Sequence, residues 1–150
     1  MKRPRKVLTL IIVLILIIQV AQPTKNISAG PQEADITQVY DIPEELHSMF
    51  VQKCYDCHSN NTRYPWYFNI QPIGWWLAAH IHEGKEELNF SEFRNYPPDR
   101  AAHKLEEIGE VMEEGTMPLK AYTMFHKDAD LTDQDKTLIR NWLKSIAGNH

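Results

Sequence analysis

Glu44-Glu45-Leu46-His47-Ser48-Met49-Phe50-Val51-Gln52-Lys53-Cys54-Tyr55-Asp56-Cys57-His58 is the stretch on which both the fold and the chemistry of this chain turn. Leu46, Phe50, Val51 and Cys54 recur at helical spacing, which predicts an amphipathic helix beginning near Asp41. Pro43 suits its first turn, and Glu44 and Glu45 stand where carboxylates oppose the positive end of the helix dipole. The helix delivers Cys54-x-x-Cys57-His58 at its C-terminal end. Two thiols one turn apart can each add across one of the two vinyl groups on the same edge of a porphyrin. The imidazole that follows is then held under the iron as its proximal ligand.

A chain of 150 residues builds one domain with a sizeable core and hardly two. Met1-Lys2-Arg3-Pro4-Arg5-Lys6 is basic, and Val7 to Val20 is apolar apart from Thr9 and Gln19. That is the charged-then-apolar layout of a bacterial secretory signal. The run falls short of the ~20 residues of a typical spanning helix, yet no clean A-x-A cleavage site appears in Gln19-Val20-Ala21-Gln22-Pro23. Residues 1–22 are therefore expected to be either a signal peptide or an N-terminal membrane anchor with its basic end in the cytoplasm. Both outcomes send the rest of the protein to the periplasmic side of the bacterial inner membrane, secreted or N-terminally anchored.

Without Lys2, Arg3, Arg5 and Lys6, the 16 basic residues fall to 12 against 20 acidic ones, a formal charge of −8. An acidic exported domain is a poor match for nucleic acid or an anionic membrane surface, and would be steered toward a basic partner. Two lone cysteines in an oxidising compartment are normally consumed, and thioether bonds would consume both.

Residues 23–41 mix Pro, Gly, Ser and Asn without an apolar period, and are expected to form a linker ahead of a domain over 42–150. Beyond the first helix, Trp75 to His82 predicts a short helix ended by Gly84. Another is expected from about Asp99 to Glu114, carrying Leu105, Ile108, Val111 and Met112 inward and ending at Gly115. A last helix begins after Thr132, with Asp135 completing a capping-box variant. Leu138, Ile139, Trp142, Leu143 and Ile146 form its apolar stripe, and Gly148 is its expected C-cap. No segment alternates with period two, so the fold class is all-α.

Three other uses of the cysteines compete with haem attachment. A thioredoxin-like pair belongs just after a strand, a structural zinc site needs a second ligand pair, and a plain disulfide leaves His58 without a role. His80-Ile81-His82 does not supply zinc spacing, having one residue between its histidines.

A low-spin electron carrier needs a second axial ligand, usually methionine or histidine. Met117, in Gly115-Thr116-Met117-Pro118, is the candidate distal ligand, with the proline stiffening its loop. A thioether stabilises ferrous iron relative to a second imidazole and would raise the potential. The alternative is a methionine filling a loop contact. His80, His82, Met124 and His126 are the other candidates, while His47, His103 and His150 read as exposed or terminal. Tyr64-Pro65-Trp66-Tyr67 and Trp75-Trp76 would wall the haem or pack an ordinary core, and Arg63 would pair with a propionate or lie on the surface. Glu106, Glu107, Glu110, Glu113 and Glu114 read as a solvated helix face.

With these residues in view, the chain resembles the small haem-binding domain family of exported bacterial proteins, a branch of the c-type cytochromes. The resemblance is carried by Cys54-x-x-Cys57-His58-Ser59-Asn60, Thr62-x-Tyr64-Pro65-Trp66-Tyr67 and Pro72-x-x-Trp75-Trp76-Leu77. It continues through His80-Ile81-x-Glu83-Gly84, Leu88-Asn89-Phe90-Ser91, and Met117-Pro118-Leu119 with Tyr122. It covers approximately Glu44 to Ile146 and implies a cytochrome c-like helical domain around one covalently attached haem c, with first and last helices crossing near the haem edge.

The expected function is one-electron transfer with a redox partner protein, which names no catalytic residue. Two alternatives belong to other classes. One is a haem sensor or peroxidase-like enzyme with a labile distal ligand. The other is a non-redox accessory module stapled by its haem. The sequence leaves redox partner, potential and oligomeric state open.

Overall fold

A computed structural model of the chain describes residues 2–148. Among them the fold is all helical, as expected, and the only β pairing is an isolated antiparallel bridge between Ile27 and Asn61. Seven α-helices follow in order. They are α1 (Lys2–Ile18), α2 (Glu44–Lys53), α3 (Tyr55–His58), α4 (Ile73–Glu87), α5 (Pro98–Glu114), α6 (Lys120–Thr123) and α7 (Asp133–Ala147). Short 3-10 turns lie between them at Ile36–Gln38, Trp66–Asn69, Phe90–Asn95 and Lys127–Ala129.

Two apolar clusters organise the domain. In the larger one, Leu46, Met49 and Phe50 of α2 meet Leu105, Ile108 and Met112 of α5 and Ile139 and Trp142 of α7, with Phe90 and Phe93 below. Phe50 and Trp142 pack edge to face at 5.8 Å, and the Trp142 indole N–H donates to the Asp41 carbonyl at 3.1 Å. The first and last helices of the domain are thus locked together. The smaller cluster holds Phe68, Leu77 and Ile81, with Tyr64, Tyr67 and Ala78 against them.

α7 starts as its sequence requires. The Thr132 hydroxyl accepts from the Asp135 N–H and the Asp135 carboxylate accepts from Thr132, a reciprocal capping box, an arrangement whose N-cap alone contributes roughly 0.5–2 kcal/mol. At its other end Gly148 is the C-cap. Asp135 also receives the Lys53 ammonium at 2.9 Å, which ties the last residue of α2 to the first turn of α7. Hydrogen bonds from Thr132 and Lys53 outweigh the burial that alone would raise the Asp135 carboxyl, and hold it below its ordinary range. α5 ends at Gly115, which adopts the left-handed conformation (φ 68°) that a helix stop demands of a residue without Cβ.

Four expectations need correction. The helix carrying the motif is not continuous: α2 stops at Lys53, Cys54 caps it with φ −122°, and α3 restarts at Tyr55. Met49 rather than Val51 completes the buried face of α2, because Leu46, Met49 and Phe50 follow the i, i+3, i+4 rule while Val51 points outward. α4 does not end at Gly84 but runs through it to Glu87. Residues 23–41, expected to be a linker, pack onto the domain. Ile36 is fully buried, Asp35 caps the Ile36–Gln38 turn, and Asn26 donates to Ser59 and Thr62. Polar side-chain bonds hold much of this strap, so no apolar period announced it.

α1 exposes its apolar residues on all sides, from Val7 to Ile17. No helix among the described residues is long and apolar enough to cross a membrane. Directly after α1, Gln19 exchanges hydrogen bonds with the Gln71 backbone, and the Trp75 indole donates to the Ala21 carbonyl at 2.6 Å.

Candidate functional site

The break between α2 and α3 places the motif between the two clusters. Cys54 packs on the larger and Cys57 on the smaller. Both thiols are free. Burial pushes Cys54 up to about 12, with Cys57 and Asp135 adding to it against the Lys53 charge, and Cys57 up to about 11, with the Asp56 charge adding to it. At neutral pH both positions therefore favour the protonated thiol. A redox-active dithiol works through a thiolate near neutrality. These two are neutral thiols at rest. Nor do they join a metal set of the zinc kind: among the described residues no group of three or more His, Cys, Asp or Glu side chains converges to hold an ion.

His58 is held by the backbone. Its Nδ1 lies 2.9 Å from the Gly84 carbonyl oxygen and 3.0 Å from that of Leu88. Carbonyls only accept, so Nδ1 carries the proton, and Nε2 keeps the lone pair that binds a metal. Phe90 meets the ring edge-on at 6.4 Å while stacking on Tyr55 at 5.2 Å and on Phe50 at 5.3 Å. Burial lowers the His58 pKa below its ordinary 6.5, against the two carbonyl hydrogen bonds, which raise it.

Gly84 explains how α4 comes close enough to do this. A Cβ there would sit 3.0 Å from the Cys57 carbonyl oxygen and 3.4 Å from both Cys57 Cβ and His58 Cε1. The glycine is a contact surface for the motif, not a helix stop.

Asp56, between the two thiols, is buried and bound on all sides. Its Oδ1 accepts from Arg63 Nε at 3.0 Å and the Arg63 backbone N–H at 3.1 Å. Its Oδ2 accepts from Arg63 Nη2 at 3.2 Å and from the Tyr122 hydroxyl at 2.7 Å. The Thr62 hydroxyl donates to the Asp56 carbonyl at 2.7 Å. Arg63 lies on the surface, one of the two places expected of it, and its guanidinium is engaged by Asp56. A cavity of about 210 Å³ opens beside this group, lined in part by Gln52, Tyr122, His126 and Asp128.

The remaining candidates separate. Met117 is half-buried in the loop after α5, with its N–H and that of Thr116 directed at the Val111 carbonyl at 3.4 and 3.0 Å. His126 stacks on Tyr122 at 4.3 Å. His80 lies against Trp76 at 4.2 Å, with Nδ1 at 2.9 Å from the Trp76 carbonyl. His82 is exposed and meets Glu86 at 3.4 Å, and Met124 is exposed. His47 packs edge-on against Tyr55, His103 pairs with Glu107, and His150 lies outside the described residues. Tyr64 and Tyr67 line the smaller cluster with Cys57, whereas Trp66, Trp75 and Trp76 are exposed. Glu106, Glu110, Glu113 and Glu114 are solvent-facing, Glu113 pairing with Arg140, and Glu107 binds Lys104.

Two neutral thiols one turn apart, an imidazole with a fixed tautomer beside them, and a glycine that clears the space at the motif fit a haem. Such a donor set, in an all-helical domain, is compatible with haem. The chain belongs to the haem-binding domain family, whose model matches residues 12–145. Neither the comparison with curated proteins nor that with solved structures returned a match.

The buried, neutral His58 makes the haem-free protein sensitive to acid. Its folded pKa lies below the unfolded value of 6.5, so the unfolded chain binds more protons between the two. Its contribution is complete above about 6.5 and is lost as pH falls from there toward the folded value. Urea unfolding of the haem-free protein between pH 5 and 8 should show this loss, and His58→Gln should flatten that part of the profile. An unchanged profile in His58→Gln would contradict it.

Proposed function

We propose that this protein is an exported monohaem c-type cytochrome domain that carries single electrons. Cys54 and Cys57 hold the porphyrin through thioethers, His58 Nε2 is the proximal ligand, and Met117 supplies the distal sulfur. The observation that carries this reading is His58 itself, with Nδ1 committed to the Gly84 and Leu88 carbonyls, next to two neutral, unpaired thiols. A ligating histidine depends on such a partner for its tautomer, ring orientation and basicity. Bound haem supplies the one-electron iron couple.

The chain's own residues set the conditions for that couple. Burial of the motif against Phe90, Tyr55 and the Tyr64–Tyr67 cluster keeps water from the proximal side and lowers the local dielectric. The hydrogen bonds on Nδ1 make the imidazole a stronger donor. The loop after α5 offers a thioether, the softer ligand, which stabilises the reduced state. Acidic residues on the surface would steer a basic redox partner toward the domain.

Export is supported by the basic Lys2-Arg3-Pro4-Arg5-Lys6 ahead of the apolar stretch. The N-terminal segment is the export signal or tether, and the haem domain works on the periplasmic side.

Two measurements test these claims. The reduced protein should be low-spin and slow to bind carbon monoxide, whereas Met117→Ala should bind it readily and show a lower potential. Ready binding by the unaltered protein, or an unchanged Met117→Ala, would remove Met117 from the iron. Leu14→Arg places a charge on an exposed position of α1, at a cost to membrane insertion of about 2.5–3.5 kcal/mol. Cell fractionation should find this variant retained in the cytoplasm. Normal export would count against the signal or tether role.

A further inference from the structure

Met117 lies in a segment with little apolar hold. α6 buries none of its residues, and Met124 and Phe125 just beyond it are 63% and 71% exposed. Upstream, the loop hangs from the C-terminus of α5, where Gly115 turns left-handed and Thr116 and Met117 point their N–H groups at the Val111 carbonyl. That fixes one end only. Downstream, Phe125 and His126 rest on Tyr67, and the nearest polar hold is Tyr122, five residues after Met117. Among the described residues its hydroxyl makes the one side-chain hydrogen bond that joins residues 116–126 to the attachment motif, 2.7 Å to Asp56 Oδ2.

The acceptor is rigid. Asp56 is 8% exposed, sits between Cys54 and Cys57, and has its other lone pairs taken by the Arg63 guanidinium and backbone N–H. The donor ring is braced within its own segment. The Tyr122 ring stacks on His126 at 4.3 Å with an interplanar angle of 16°. A hydrogen bond to a buried carboxylate paired with arginine is among the stronger kinds, and the aromatic contacts of Phe125 and His126 with Tyr67 at 5.9 and 6.3 Å share the load with it.

We propose that Tyr122 is a positioning residue, whose bond to Asp56 latches the Met117-bearing segment against the haem-attachment motif and keeps the sixth iron position closed. This rests on Met117 being the distal ligand. Tyr122 touches neither iron nor a redox partner in this role. It shifts the balance between a closed, sulfur-ligated form and an open one. The same carboxylate that braces the proximal motif thereby governs the distal side, so attachment and ligation are mechanically joined through one side chain.

The test compares three variants of the haem-loaded protein. Tyr122→Phe keeps the ring and its stacking but removes the donor. It should take up haem normally, yet bind carbon monoxide about tenfold to a hundredfold faster in the reduced form, as expected for losing one hydrogen bond to a charged group. It should also weaken the sulfur-to-ferric-iron charge-transfer band and lower the potential. Thr123→Ala removes a hydroxyl from the same segment that bonds only the Lys120 carbonyl, and should leave all three readouts unchanged. Met117→Ala separates the two claims. If it alters the band and Tyr122→Phe does not, the latch is refuted while the ligand assignment stands. If Met117→Ala leaves band and potential untouched, the ligand assignment fails and the latch fails with it. Equal effects of Tyr122→Phe and Thr123→Ala would also refute the latch, since any loosening of the segment would then suffice.

Discussion

The paired contact of the His58 Nδ1 with the Gly84 and Leu88 carbonyls is the constraint on which the rest of this structure depends. To bring those two carbonyls to one imidazole, α4 approaches α3 so closely that a Cβ at residue 84 would press on the Cys57 carbonyl at 3.0 Å. It must also stop just past Glu87, so that Leu88 leaves the helix as its C-cap in an extended conformation. The next turn then carries Phe90 under the ring. Each requirement is local, yet together they fix the relation between the two apolar clusters. The outcome is a histidine whose free lone pair is decided by backbone geometry and not by solvent.

A second polar centre stands behind the first. Asp56 gathers Thr62 and Arg63 from the following loop and the distant Tyr122 onto the short helix that carries Cys57 and His58. Ser59 and Asn60 extend this scaffold. The Asn60 N–H donates to the Ser91 hydroxyl, its amide group donates to Glu92, and its oxygen accepts from Asn89. A four-residue helix has almost no intrinsic stability. Side-chain hydrogen bonds from Thr62, Arg63 and Tyr122 hold it in place.

Much of this was legible in the residues. The helix class, the α5 and α7 boundaries, the capping box at Thr132 and Asp135, and the stop at Gly115 follow from periodicity and from caps whose signals are local. What escaped depends on tertiary contact. Gly84 resembles a helix terminator in sequence, and only the nearness of Cys57 and His58 shows that the missing Cβ serves packing. Arg63 carries no mark distinguishing a propionate partner from an Asp56 partner, although a buried carboxylate between two cysteines would require some cation nearby. The strap over residues 23–41 was invisible because Asn26 and Asp35 bond through single side chains. Tyr122 stood in the quoted pattern, but its bond to Asp56 spans 66 positions and has no local signal.

Peptide mapping of the purified protein after acid–acetone extraction tests the central claim, covalent attachment at the motif, most directly. Cleavage after Lys53 and Arg63 isolates Cys54-Tyr55-Asp56-Cys57-His58-Ser59-Asn60-Asn61-Thr62-Arg63 as one fragment. The account predicts that this fragment retains the mass and visible absorption of one haem, with no thiol left to alkylate. A colourless fragment with both thiols open to alkylation, and haem recovered in the solvent, would contradict it.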